Sequence, residues 1–198
     1  MGLDLEYIEG QTPLDEDEKE GLLIPTITTR AELDEFEQKN IEDAILWTIG
    51  RAFKPKTILS EDFIKGLHKR MYGTVWSWAG EFRKTNKNLG TDWWQISVEL
   101  RTLLDDTMFW IENQTYSPDE IAIHFKHRLV SIHCFPNGNG RHSRLMADVI
   151  SEKIFRQPVY SWGASNLVTG SDGRTNYLNA IRAADKGDIK PLIVFARS

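Results

Sequence analysis

The stretch His133-Cys134-Phe135-Pro136-Asn137-Gly138-Asn139-Gly140-Arg141-His142-Ser143-Arg144 constrains the fold more than any other part of the chain. Two Asn-Gly pairs interrupt any helix there, yet both flanks carry helical spacing. Asn-Gly is also a hairpin-turn dipeptide, but neither flank alternates as a strand does. Upstream, Ser117-Pro118-Asp119-Glu120 supplies a cap, a proline in the first turn and two acids at the positive dipole end, so a helix is expected over 117–132. Downstream, a helix is expected from near Asn139 through Leu145, Val149 and Ile154. The stretch therefore reads as a loop feeding a helix N-terminus.

The rest of the chain is mostly helical. Thr28 or Thr29 can cap a helix over 31–53, with Leu33, Phe36, Glu37, Asn40, Ile41, Ala44 and Trp47 at helical spacing and Pro55 as the stop. Ser60 starts a helix that places Phe63, Leu67 and Met71 on one face, and Ser97 starts another to about residue 113. A closing pair covers 173–185 and 188–197. Residues 80–96 have no helical period, hold two glycines and two asparagines, and predict a short irregular β-hairpin. The expected fold class is mainly α with one small hairpin. Residues 1–25 read as an extended acidic arm, 26–56 as an N-terminal helical segment and 57–198 as the main domain.

Composition narrows the function classes. A chain of 198 residues is one ordinary domain plus an arm, and burying roughly 70% of its unfolded surface needs no disulfide or structural metal. The single cysteine, Cys134, excludes a disulfide scaffold and a multi-cysteine zinc site. The net charge of -5 is concentrated at the start, where residues 1–20 hold eight acids against one lysine. The remaining 178 residues carry 23 bases against 21 acids, too even a balance for broad nucleic-acid binding. No apolar run is long enough for a membrane helix and no apolar leader opens the sequence, so a cytoplasmic protein is expected. The seven tryptophans read as core. Lys126-His127-Arg128 reads as a solvated face, and the histidines His124, His127, His133 and His142 lack the spacing of a zinc site.

The chemistry gathers in the glycine loop. Its glycines let several backbone N–H groups point toward one centre, and the helix start adds unpaired donors. Arg141 and Arg144 stand three apart on one helix face, two planar cations suited to phosphate oxygens. His133 lies at the mouth as the candidate general base. Gly138, Asn139, Gly140, Arg141 and Arg144 are the candidate phosphate-binding residues.

This stretch resembles the signature of the Fic family, H-P-F-x-[D/E]-G-N-G-R-x-x-R, through His133, Phe135, Gly138, Asn139, Gly140, Arg141 and Arg144. Trp78-Ala79-Gly80-Glu81-Phe82-Arg83 is similar to the W-A-G-x-[YF]-R that opens the family's flap hairpin, and 177–195 to its closing helices. The acidic arm and Glu37-Gln38-Lys39-Asn40-Ile41 resemble the subgroup called mobile mystery protein B.

The resemblance implies a Fic-type helical bundle with a flap, and a bacterial-type protein adenylyltransferase. Such an enzyme moves AMP from ATP to a Ser, Thr or Tyr hydroxyl of a protein target docked on the flap 80–96, with Mg²⁺ as cofactor. Cys134 stands where the family has proline. Asn137 stands where the family has its Mg²⁺-ligating acid, which makes it the candidate metal ligand at the loss of a formal charge. Two alternatives stay open. One is transfer of another phosphate-containing group, such as UMP or a phosphoryl. The other, favoured by Asn137, is a weakly active nucleotide-binding or interaction module of a toxin–antitoxin-like pair with a small regulatory partner. Many Fic proteins also carry an inhibitory helix whose glutamate pairs with the motif's second arginine. Glu42 is one candidate for that glutamate here and Glu37 the other. The oligomeric state is left open.

Overall fold

In the computed structural model, residues 13–164 and 173–198 are described, and residues 1–12 of the expected arm lie outside the described residues. The elements in chain order are α1 (Glu16–Lys19), α2 (Arg30–Ile49), α3 (Pro55–Ile58), α4 (Glu61–Tyr72), a 3₁₀ turn (Trp93–Gln95), α5 (Ile96–Glu112), α6 (Pro118–Ile132), α7 (Asn139–Val149), a π turn (Ile150–Ile154), α8 (Gly173–Asp185) and α9 (Lys190–Arg197). α6 is the axis of the bundle. It packs on α5, α7 and α9, while α4 bridges α7 to α2, and α8 lies on α9.

Local chemistry explains the ends. Ser117 accepts the Glu120 N–H while the Glu120 carboxylate returns to the Ser117 N–H, and proline follows at the first helical position. Thr29 and Glu32 make the same reciprocal cap on α2, which stops at Gly50 rather than running to residue 53. α5 starts one residue before Ser97, because the preceding 3₁₀ turn already carries the chain into helix; Ser97 lies in the first turn and caps nothing. The core is apolar side chains from all these helices, including Ile64, Leu67 and Met71 of α4 against Phe125, Leu129 and Met146.

Three expectations are corrected. No β-hairpin forms over 80–96; among the described residues the only β contact is an isolated antiparallel bridge between Leu22 and Trp76. The reason is where the backbone hydrogen bonds go. The Arg83 N–H donates to the Cys134 carbonyl at 3.0 Å and the Thr91 N–H to the Ile132 carbonyl at 3.3 Å, so the segment pairs with the end of α6 and not with itself. Buried Arg83 completes this, its guanidinium donating to the carbonyls of His133, Thr85 and Thr91.

The arm is also not extended over its described part, where Glu16–Lys19 is helical. Leu14 is buried, Trp78 Nε1 donates to the Glu18 carbonyl at 2.9 Å, and Lys87 forms ion pairs with Asp15 and Glu18. Finally, Trp93 and Trp94 are 44% and 58% exposed, so the core reading fails for these two tryptophans.

Candidate active site

α6 ends at His133, whose left-handed backbone (φ 58°, ψ 60°) turns the chain out of the helix. Such a conformation costs a non-glycine residue roughly 1–3 kcal/mol and persists where its surroundings fix it. Here Arg83 Nε holds the His133 carbonyl at 2.6 Å. Asn139 then staples the returning loop, accepting the Phe135 N–H at 2.9 Å and donating to the Phe135 carbonyl at 2.8 Å. Its side chain is spent on the loop, so any part it plays toward a ligand falls to its backbone. Gly138 has φ 79°, and a Cβ there would lie 2.5 Å from the Tyr72 ring; both conditions demand glycine.

Under the loop sits His68, which sequence reasoning passed over. Its Nδ1 accepts the Gly80 N–H at 3.0 Å, so Nε2 carries the proton and donates to the Asn137 carbonyl at 3.0 Å. The ring stacks on Phe135 at 3.7 Å. Burial, then the neighbouring His142, holds His68 well below the usual histidine range. It is a neutral, tautomer-fixed prop for the loop. The only sequence signal was one more histidine on an apolar helix face.

The loop opens into a cleft of about 890 Å³, within the range of small-ligand sites. His133, Asn137, Gly138, Asn139, Gly140, Arg141 and Arg144 all line it, so the structure brings every loop residue singled out from the sequence to one place. α2 contributes Arg30, Asp34 and Gln38, the irregular segment contributes Asn88, Leu89 and Gly90, and α8 contributes Arg174, Tyr177 and Arg182. Among the described residues, five arginines against Asp34 and Asp185 give the cleft a cationic lining. His133 is 7% exposed, and burial pushes its imidazole down to about 4, so it is neutral at physiological pH with a lone pair available to a proton. Cys134 is buried and its thiol is pushed up to about 12 by burial, which fits packing and not reactivity.

The two acids of α2 behave differently. Glu42 is exposed and accepts the Gln38 amide at 3.1 Å; it does not line the cleft. Glu37 is buried and meets Arg141, not Arg144, at 2.7 Å. Arg144 instead donates from Nε to the Gly140 carbonyl at 3.4 Å and stands 5.8 Å from the Tyr177 ring.

Lys126 overturns the solvated-face reading of 126–128. It is fully buried, donates to the Tyr177 hydroxyl at 2.6 Å and lies 4.6 Å from that ring. Helical phase explains the error: Lys126 faces α8, whose position was not legible, and only Arg128 of the three is exposed.

Mg²⁺ can be tested against the donors present. Asn137 offers one neutral amide oxygen, and that oxygen accepts the Gly138 N–H at 2.7 Å. Among the described residues no group of three or more His, Cys, Asp or Glu side chains is placed to hold a metal. The residues present do not fit a protein-held Mg²⁺.

A neutral buried histidine, a glycine loop entering a helix and a set of arginines thus line one cleft of a helical protein, a cationic cavity in the size range of small-ligand sites. The family model described as the Fic/DOC family matches residues 58–151. It is 29% identical over 133 residues to the protein adenylyltransferase Fic of Drosophila grimshawi, covering 65% of this chain and 26% of that protein. The Drosophila melanogaster protein of the same name matches at 29% over 133 residues, with 25% of its length covered. The chain thus spans about a quarter of the curated relatives it matches.

Among solved structures, Fic-1 (residues 134–508) of C. elegans superposes with a TM-score of 0.67 at 22% identity, covering 90% of this chain and 51% of that one. The N-terminal Fic domain of a Bep effector protein from Bartonella quintana, with bound ADP, gives 0.65 at 17% identity, covering 87% and 86%. These likenesses establish the Fic fold. Among the described residues no helix is long and apolar enough to cross a membrane.

Proposed function

We propose that the protein transfers AMP from ATP to a hydroxyl of a target protein. The observation that carries this reading is a neutral His133 lining the same cleft as the Gly138 to Gly140 loop, Arg141 and Arg144. In the proposed reaction His133 accepts the proton of a Ser, Thr or Tyr hydroxyl. That oxygen bonds to the α-phosphorus as the bond from it to the bridging oxygen breaks, and pyrophosphate leaves. The loop N–H groups and the two arginines hold the phosphates and offset charge developing on them. The ADP named with the Bartonella quintana domain and the activity named for the Drosophila relatives support the nucleotide and the reaction.

The target is proposed to dock on the irregular segment, where Asn88, Leu89 and Gly90 are exposed beside His133. A target strand can add to such a backbone even though the segment does not pair with itself. The test is incubation of the chain and a cell lysate with ATP labelled at the α- or the γ-phosphate. Protein labelling from the α-label alone is expected. Labelling from the γ-label means phosphoryl transfer, and labelling from another nucleotide moves the reading to that group.

Asn137 favours a second reading, a nucleotide-binding module with slow turnover, because an amide gives up a formal charge toward a hard cation. Asn137→Asp is expected to raise transfer several-fold at limiting Mg²⁺. An unchanged Mg²⁺ titration means that position 137 makes no contact with the ion.

A further inference from the structure

The buried face of α2 is partly polar. Glu37, Asn40 and Thr48 are buried with Leu33, Ile41 and Ala44, while Phe36, Leu46 and Ile49 are exposed. A buried carboxylate is costly unless it is paired and hydrogen-bonded. Glu37 is 3% exposed and has both. One oxygen accepts Trp76 Nε1 at 2.7 Å. The other meets Arg141 Nη2 at 2.7 Å, a contact of charge whose N–H is not aimed along the hydrogen-bond direction.

Arg141 is held from a second side as well, its guanidinium 5.2 Å from the Tyr72 ring. Tyr72 is the residue against which Gly138 packs, so the same aromatic ring touches the loop and its arginine.

A carboxylate this close to a phosphate-binding arginine could either block the site or set it. Three observations decide between these. Arg141 lines the cleft and Glu37 does not, so Glu37 occupies none of the volume that a phosphate would take. Trp76 pins the far oxygen, so the carboxylate is fixed and not poised to swing. Arg144, the other arginine of the loop, is engaged by Gly140 and Tyr177 and not by an acid of α2.

We propose that Glu37 is a positioning residue: anchored by Trp76, it holds Arg141 against the side of the cleft, so that α2 completes the phosphate site instead of closing it. This rests on the reading of the cleft as a nucleotide site and gives α2 the opposite sign from an inhibitory helix. An arginine fixed before the ligand arrives loses less side-chain freedom on binding, which favours the bound state.

The test is the affinity of the intact chain for a fluorescent ATP analogue, measured well below the melting temperature, with transfer rates measured alongside. Glu37→Gln is expected to weaken nucleotide binding at least tenfold while transfer at saturating nucleotide changes less than about threefold. Trp76→Phe removes the N–H that anchors the carboxylate, together with part of a buried ring stacked on Trp78, and is expected to weaken binding in the same direction, by less, at a temperature where the variant is folded. Glu37→Asp, which keeps the charge, should recover part of the loss. A role confined to stability would lower the melting temperature of Glu37→Gln and leave the affinity unchanged, and that result overturns the proposal. Tighter binding and faster transfer in Glu37→Gln also overturn it, in favour of inhibition. Wild-type chain that binds the analogue but labels no protein overturns the transferase reading alone, because the Glu37 comparison is made on binding.

Discussion

His133→Ala is expected to lower protein labelling by a factor of about 10² to 10⁴, the usual cost of losing a general base, while nucleotide affinity stays within a few-fold of wild type. The split follows from the site. The imidazole lines the cleft, whereas the groups proposed to hold phosphate are the loop backbone and the two arginines, which the substitution leaves in place. The carbonyl of residue 133 is what Arg83 binds, so truncating the side chain also spares that contact. Left-handed backbone at residue 133 is no easier for alanine than for histidine, so some loss of stability will accompany the variant. Binding of the nucleotide is therefore the control that separates a lost base from a lost fold. Labelling by His133→Ala at the wild-type rate would remove the histidine from the mechanism.

Acid should unfold this protein early. His133 and His142 are both pushed down to about 4 by burial, against a usual value near 6.5. Between those two values the unfolded chain binds protons that the folded chain refuses, so stability falls as pH drops from about 6.5 to about 4. Each histidine contributes about 3 kcal/mol to that fall at its lower end, taking 1.36 kcal/mol per pKa unit. His68, fully buried, acts in the same direction.

Asp148 opposes them. Burial pushes its carboxyl up to about 6, so the folded chain holds a proton that the unfolded chain releases, and stability from this group is lost as pH rises from about 4 to about 6. Its contribution is about 3 kcal/mol of the opposite sign, so the histidines outweigh it. Urea midpoints at pH 7.0, 5.5 and 4.5 are expected to fall steadily. His142→Gln keeps a donor for the Ile64 carbonyl that His142 Nε2 now meets at 3.0 Å, and should flatten the slope. Equal midpoints at pH 7.0 and 4.5 would show that these rings titrate normally.

The bundle was legible wherever a local signal closed on itself. Ser117-Pro118-Asp119-Glu120 fixed the start of α6 because cap, proline and acids act within one turn, and the glycine loop fixed the start of α7 for the same reason. The site residues 133–144 were legible because they are contiguous. What stayed hidden was set by partners distant in sequence. Residues 80–96 looked like a hairpin because their own composition allows one; the backbone partners of Arg83 and Thr91 lie roughly forty to fifty residues later. Lys126 looked solvated because its partner is Tyr177, and His68 gave no signal because the groups it bonds are a backbone amide at residue 80 and a carbonyl at residue 137. Glu37 was singled out as an acid able to reach the loop, but which arginine it meets depends on how α2 crosses α4 and α7, and no pattern within α2 encodes that.

The reach of Arg83 also bears on the order of folding. A helix such as α6 can form from contacts within a few residues, quickly and before the rest of the chain is settled. The segment beside His133 cannot, because one guanidinium must gather carbonyls from residues 85 and 91 and from residues 132 and 133. Closing a loop of that length has to wait until α6 offers its C-terminal carbonyls, so the rim of the cleft is completed after α6. During synthesis, a nascent chain that has not yet emerged as far as residue 132 holds the arginine and the carbonyls of residues 85 and 91 but lacks those of residues 132 and 133, and its future docking edge stays incomplete.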